Sequence, residues 1–447
     1  MRLALRLSLA FLALLLWQGA ARAMTIERVV GNTGVEAWLV EDHAIPVVTI
    51  RFAFPGGAAL DAPDKGGTAA MAASLLDEGA GPFDSEEYQG RIEDLAIDLR
   101  FDAGQDHLGG HMRTLKRNLG EAADLLRLAL SEPRFEPSAV ERIRSETIAA
   151  LARQARNPHA FASRLWMRDA FEEHPYGRNS EGTEASVAAI TRDDLVGFVA
   201  RRLHRAGLVV AIVGDVTAAD AAPLLDRVFG GLPAAPVEAQ VPDAAPADDG
   251  ALVISRWPVP QSVVTFGQVG PKRDDPDWYP MLVVNDVLGG GGFRGRLMKE
   301  IREKRGLAYG VSTELMPYRH AGLILGDVAT ENARVAQSIE LVRAEWRRMR
   351  DEGPTQSELD DAKTYLTGSF PLGLDSTGRI AAVLVQIQLD KLGIDYLDRR
   401  AGLIDAVTLD EARAAAKHVL DPDRLSFAVV GDPADLTPTR PPPEVRE

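Results

Sequence analysis

The chain has 447 residues, of which 46% are hydrophobic and 26% charged, with a net charge of −15 and no cysteine. That length and balance suit two or more sizeable cores and exclude a disordered or fibrous chain. The acidity argues against nucleic acid and anionic membrane surfaces as partners, and the missing cysteines exclude disulfides, thiol chemistry and a lipid-attachment site.

The first residues predict an export signal. Arg2 and Arg6 open the chain, residues 7–17 are apolar apart from Ser8, and Ala21-Arg22-Ala23 has the small-x-small pattern of a cleavage site. Cleavage after Ala23 is expected, and it moves the net charge from −15 to −18 by removing Arg2, Arg6 and Arg22. The apolar stretch is too short to span a bilayer comfortably, so no stable membrane insertion is expected. An exported, cysteine-free chain points to the periplasm.

Beyond residue 23, runs rich in β-branched and aromatic residues, such as 47–54 and 208–213, read as strands and alternate with longer helical patterns. Three helix starts have the form of a capping box: Ser138-x-x-Glu141, Thr191-x-x-Asp194 and Thr408-x-x-Glu411. Val47-Val-Thr-Ile50 returns 216 residues later as Val263-Val-Thr-Phe266, and Val210-Ala-Ile-Val-Gly-Asp215 returns 217 residues later as Phe427-Ala-Val-Val-Gly-Asp432. Two matches at nearly one offset indicate a duplicated domain, far longer than a solenoid repeat. The expected fold class is therefore α+β, an α/β sandwich of two homologous domains, each a mixed sheet packed against helices. The expected division is a signal at 1–23, a first domain at 24–232, a Pro- and Ala-rich linker at 233–250, a second domain at 251–437 and a disordered tail at 438–447.

Residues 67–80, Gly-Thr-Ala-Ala-Met-Ala-Ala-Ser-Leu-Leu-Asp-Glu-Gly-Ala, read as a zinc-site helix without its catalytic side chains. In the motif His-x-x-Glu-His, two histidines four residues apart grip zinc on one helix face and the glutamate activates water. Those positions fall here on Ala70, Ala73 and Ser74. Alanine offers no lone pair, and a neutral hydroxyl is a poor zinc ligand. With Lys65-Gly66-Gly67 before it and Leu75-Leu76-Asp77-Glu78-Gly79 after it, the helix resembles that of the pitrilysin/insulinase family of zinc peptidases. In that family a third ligand, a glutamate, follows on a long helix; Glu146, 76 residues past Ala70, matches it as a vestige.

The resemblance extends through His174-Pro-Tyr-Gly177, Leu288-Gly-Gly-Gly-Gly-Phe293 and Arg302-Glu-Lys-Arg-Gly-Leu-Ala-Tyr309. It implies that Arg302 and Tyr309, seven residues apart, face the zinc chamber from the second half of the molecule. Arg302 is expected near the end of a helix over 293–304 and Tyr309 on the strand after Gly306. A phenol or guanidinium beside the scissile carbonyl stabilises the charge that develops in the transition state. Gly289, Gly290, Gly291 and Gly292 form either a loop that reverses the chain between two helices or a flexible element that touches substrate, as glycine-rich loops do in non-catalytic subunits of the family. They lack the Gly-Lys-Ser/Thr ending of a phosphate loop. His107 and His111 have zinc-pair spacing, but on a strand four residues extend about 13 Å, too far for both rings to meet one ion at about 2 Å. The other histidines, at 43, 159, 174, 204, 320 and 418, show no ligand spacing, and the turn at His174 is expected to be structural.

The family builds clamshell enclosures from four homologous domains, in one chain or in two. The resemblance therefore implies the non-catalytic subunit of a two-subunit zinc metallopeptidase. This chain, inactive alone and without a cofactor of its own, would meet a homologous subunit that carries His-x-x-Glu-His and the zinc, and peptide substrate would lie between them. The alternative is a non-enzymatic scaffold or peptide-binding protein of the same fold.

Overall fold

The computed structural model describes residues 24–235, 240–247 and 249–445. The expected export signal and part of the expected linker lie outside these residues. Strands β1 (Glu27–Val30), β2 (Glu36–Glu41), β3 (Val47–Pro55), β4 (Asp98–Ala103), β5 (His107–Leu115) and β6 (Val209–Gly214) form a six-stranded sheet in the order β1-β2-β6-β3-β5-β4. Strands β7 (Leu252–Arg256), β8 (Gln261–Val269), β9 (Ala308–Pro317), β10 (Gly322–Glu331) and β11 (Ser426–Gly431) form a five-stranded sheet in the order β7-β11-β8-β10-β9. Each sheet is mixed, with one parallel pair, β2 with β6 and β7 with β11. Apart from the extra edge strand β1, the two orders superimpose strand for strand, as a duplicated chain requires.

The repeated Val-Ala-Ile-Val and Ala-Val-Val runs are continuously apolar because both faces of their strands are buried. On β6, Val210 and Ile212 face the core of their own half, whereas Ala211 and Val213 face Ile380, Ala381 and Leu384. On β11, Phe427 and Val429 face inward, while Ala428 and Val430 pack with Leu165, Trp166 and Phe171. The helices on these outer faces are exchanged: Pro158–Phe171 from the first half covers the second sheet, and Thr377–Leu389 from the second half covers the first. Polar bonds fix the exchange. Trp166 Nε1 donates to the Ser426 carbonyl (3.3 Å), Gln388 Nε2 donates to the Val210 carbonyl (3.0 Å), and the hydroxyls of Thr49 and Thr377 lie 2.8 Å apart.

Four expectations are corrected or refined by this packing. Thr191 and Thr408 do cap their helices, but the helix Pro137–Gln154 starts at Pro137 with Glu136 as its cap, so Ser138 already lies inside it. Proline needs no partner for an amide it does not have, and it is favoured at that first position. The helix expected over 293–304 is interrupted: a single tight turn spans Gly292–Arg294, and a wide-turned helical segment occupies Met298–Glu303. The tail from 438 is not disordered where it is described, because Thr439 pairs with Leu252 and Arg440 binds Asp169 and Asp249. The expected linker docks as well, through Ala244 N to His320 O (2.9 Å) and Ala247 N to Ala170 O (2.7 Å).

The His174-Pro-Tyr-Gly turn joins the halves. Tyr176 is fully buried, its hydroxyl donates to Asp106 (2.6 Å) and accepts the amide of His320 (3.1 Å), and its ring lies 5.0 Å from that of Tyr318. Burial is the main reason both phenols are pushed up, Tyr318 to about 12.

Candidate functional site

The degenerate helix is short, Thr68–Ala73, and its first turn is held from outside. Asp61 accepts the amides of Gly67 (3.0 Å) and Ala69 (3.1 Å), satisfying donors that a helix start leaves unpaired. Burial pushes the Asp61 carboxyl up to about 7 despite those amides, and burial likewise pushes Asp77, just past the helix, to about 6.

The three motif positions have diverged in environment as well as in chemistry. Ala73 is 2% exposed and belongs to the core of the first half, Ala70 is half-buried, and Ser74 is exposed, with its hydroxyl bonded back to the Ala70 carbonyl (3.1 Å). Glu146 lies on the exposed side of the 137–154 helix and accepts Arg142 Nη1 (3.2 Å), one turn earlier. Arg142 also pairs with Glu78, whose carboxylate accepts the Ser85 hydroxyl (2.6 Å). These two carboxylates, Glu78 first, raise the Arg142 guanidinium above its usual range. The residues at this place do not fit a catalytic zinc: two positions lack lone pairs, the hydroxyl is committed to the backbone, and the remaining carboxylate is paired with a cation. Among the described residues no group of three His, Cys, Asp or Glu side chains could hold a metal ion. His107 and His111 both lie on β5, so the strand spacing that separates their rings applies.

Arg302 and Tyr309 are brought together. The turn between them is tied by Gly306 N to Arg302 O (2.9 Å) and Leu307 N to Ile301 O (2.9 Å), and Thr330 Oγ1 anchors the Leu307 carbonyl (2.6 Å). The Arg302 guanidinium carbon lies 4.6 Å from the centroid of the Tyr309 ring and 4.6 Å from that of Phe293. Both rings are open to solvent, Tyr309 87% exposed and Phe293 63%. Arg302 makes no ion pair among the described residues, and its charge rests against two ring faces, an arrangement that leaves its donor fork free. Phe293 was missed as a site residue; its position directly after four glycines was the available signal.

The glycine run is packed at Gly289 and Gly291 and open to solvent at Gly290 and Gly292. It continues the Trp278–Asn285 helix as a wide turn, Asp286–Gly290. A Cβ on Gly289 would meet Thr313 Oγ1 at 2.5 Å, and Gly292 sits at φ +58, which favours glycine. Arg294, just beyond, binds Asp286 (3.2 Å) and covers the Tyr365 ring at 3.9 Å.

Two superposable mixed sheets with exchanged helices, an emptied ligand helix in one half and a guanidinium–phenol pair in the other define a peptidase-type fold without its metal ligands. Known proteins agree. A family profile described as the peptidase M16 inactive domain matches residues 189–366. The chain is similar to the non-peptidase homolog YmxG of Helicobacter pylori, 28% identical over 88% of this chain and 90% of that one. It is also similar to an uncharacterized zinc protease of Mycobacterium leprae, 27% identical over 82% of this chain and 84% of that one. A crystal structure of a peptidase M16 inactive domain from Pseudomonas fluorescens superposes with a TM-score of 0.86 at 28% identity, covering 93% of this chain and 100% of that one. Over most of its length the chain is thus similar to proteins of the peptidase M16 type, among them one described as a non-peptidase homolog and a solved structure described as an inactive domain.

Proposed function

We propose that the chain is the metal-free subunit of a two-subunit zinc peptidase and contributes Arg302 and Tyr309 to a chamber completed by a homologous, zinc-bearing partner. The observation that carries this reading is the contrast within one chain: alanines stand where ligands belong, yet the Arg302–Tyr309 pair is intact, adjacent and exposed. The partner would supply the zinc that polarises the scissile carbonyl. The Arg302 fork would hold substrate carbonyls, and the Tyr309 hydroxyl would donate to the oxygen on which charge accumulates. The export signal expected at residues 1–23 would put such a complex among extracytoplasmic peptides.

The test is reconstitution. The chain alone is expected to cleave no peptide and retain no stoichiometric zinc, and addition of a homologous subunit with His-x-x-Glu-His should yield a chelator-sensitive peptidase. Proteolysis by this chain without a partner would refute the reading. The aromatic faces of Phe293 and Tyr309 around a cation also suit peptide binding without hydrolysis. A stable complex that binds peptide but never cleaves it would select that second function.

A further inference from the structure

A cavity of about 710 Å³ lies between the halves, walled by the end of β3 at Pro55 and Gly56, by Arg202 and His204 after the Arg192–Arg202 helix, and by Arg319 and His320 from the turn before β10. Arg202 is 7% exposed and His204 4% exposed. The Arg202 side chain makes no hydrogen bond or ion pair among the described residues, and its Nε is sealed from solvent without a partner. His204 Nδ1 is likewise sealed and unpartnered, and burial holds the ring below its ordinary pKa. An unpaired buried guanidinium is costly, and stability alone offers no reason to keep it.

The carboxylates nearby make their hydrogen bonds elsewhere, and Asp61 reaches Arg202 through its charge alone. Asp106 accepts the Tyr176 hydroxyl (2.6 Å) and the Arg319 amide (3.1 Å), Asp243 binds His320 (3.0 Å) and Lys272 (3.4 Å), and Asp61 serves the 68–73 helix. Room for Arg202 depends on Gly56, at φ +90, where a Cβ would lie 3.2 Å from Arg202 Cδ and 2.9 Å from Leu60 Cδ1. Pro55, Leu60 and Val241 give the cavity an apolar side.

We propose that this cavity is a binding site for a small organic oxyanion, with the Arg202 guanidinium receiving a carboxylate or phosphate and the apolar wall receiving the body of the ligand. Arginine's fixed fork of donors matches either group in a two-bond grip. The site shares no residue with the Arg302–Tyr309 pair, so its test stands apart from the peptidase reading.

The experiment is thermal melting and calorimetry of the full chain with three probes: N-acetyl-Leu-Leu as the free acid, the same dipeptide as its C-terminal amide, and inorganic phosphate. The free acid, phosphate or both should raise the melting temperature, and the amide should not; which anion acts identifies the source of the oxyanion. Arg202→Gln should weaken binding by at least about tenfold. Without ligand, Arg202→Gln should melt at or above the wild-type temperature, because it removes an unpaired buried charge. The proposal is overturned if no anion shifts melting, if the amide binds as well as the acid, if binding survives Arg202→Gln, or if that variant melts well below wild type.

Discussion

The helix at 68–73 and the Phe293–Arg302–Tyr309 stack lie in opposite halves of a duplicated fold and have met opposite fates. In the first, Ala73 has become core and Arg142 ties the surviving carboxylate Glu146 to Glu78. In the second, the polar groups stay outside and Arg302 is held by two ring faces with no ion pair among the described residues. The difference teaches that a helix without ligands need not loosen a fold. Buried small residues and an arginine bridge pack one place tightly while the other keeps its rings and guanidinium at the surface.

That contrast can be broken in four places. The largest effect is expected at the stack: in the reconstituted complex, Arg302→Ala and Tyr309→Phe should each lower kcat by roughly ten- to a thousandfold without dissociating the subunits, because each removes a donor to developing charge. Unchanged turnover would reduce the stack to surface packing. On the sealed side, Ala73→Glu would force a carboxylate into the core, and denaturant titration should show a loss of about 2–4 kcal/mol; a neutral outcome would mean that the old site is still open to water.

The third prediction concerns pH. Burial raises the folded-state carboxyl of Asp61 to about 7, above the ordinary 3.8. Between those values the folded protein holds a proton that the unfolded chain has released, so stability is fully present below pH 3.8 and falls as pH rises through 7. Asp77 acts in the same direction, up to about 6. The Asp61→Asn variant should flatten the profile by up to about 4 kcal/mol between pH 4 and 7, read from unfolding midpoints; parallel profiles for the two proteins would contradict the buried-acid account. The smallest effect separates the two ends of the arginine bridge. Arg142→Ala strands the largely buried Glu78 and should cost about 1–2 kcal/mol, whereas Glu146→Ala removes an exposed partner and should cost less than about 0.5 kcal/mol. Equal losses in thermal melts would show that Glu146 matters to the sealed site after all.

Much of the site was legible before any coordinates. Seven residues with a glycine turn between them predict that Arg302 and Tyr309 meet, and they do. The empty ligand positions are a matter of side-chain identity alone. Phe293 was not legible as the second ring because its approach depends on the interrupted helix at 292–303, which the simple helical pattern does not show. Ser138 failed as a cap for a local reason, since Pro137 claims the first helical position. The tail was misread because proline-rich composition carries no information about Arg440 finding Asp169 across 271 residues.

Sequence by itself determined the duplication, the mixed α and β character of each half and the chemistry missing from the ligand helix, because all three are written in residue identity and short-range period. Tertiary structure alone decided the exchange of the 158–171 and 377–389 helices, the sealing of Ala73, the arginine bridge and the unpaired Arg202. Each of those depends on which surfaces meet across long stretches of chain, and a local pattern of apolar residues shows that a face must be covered without showing what covers it.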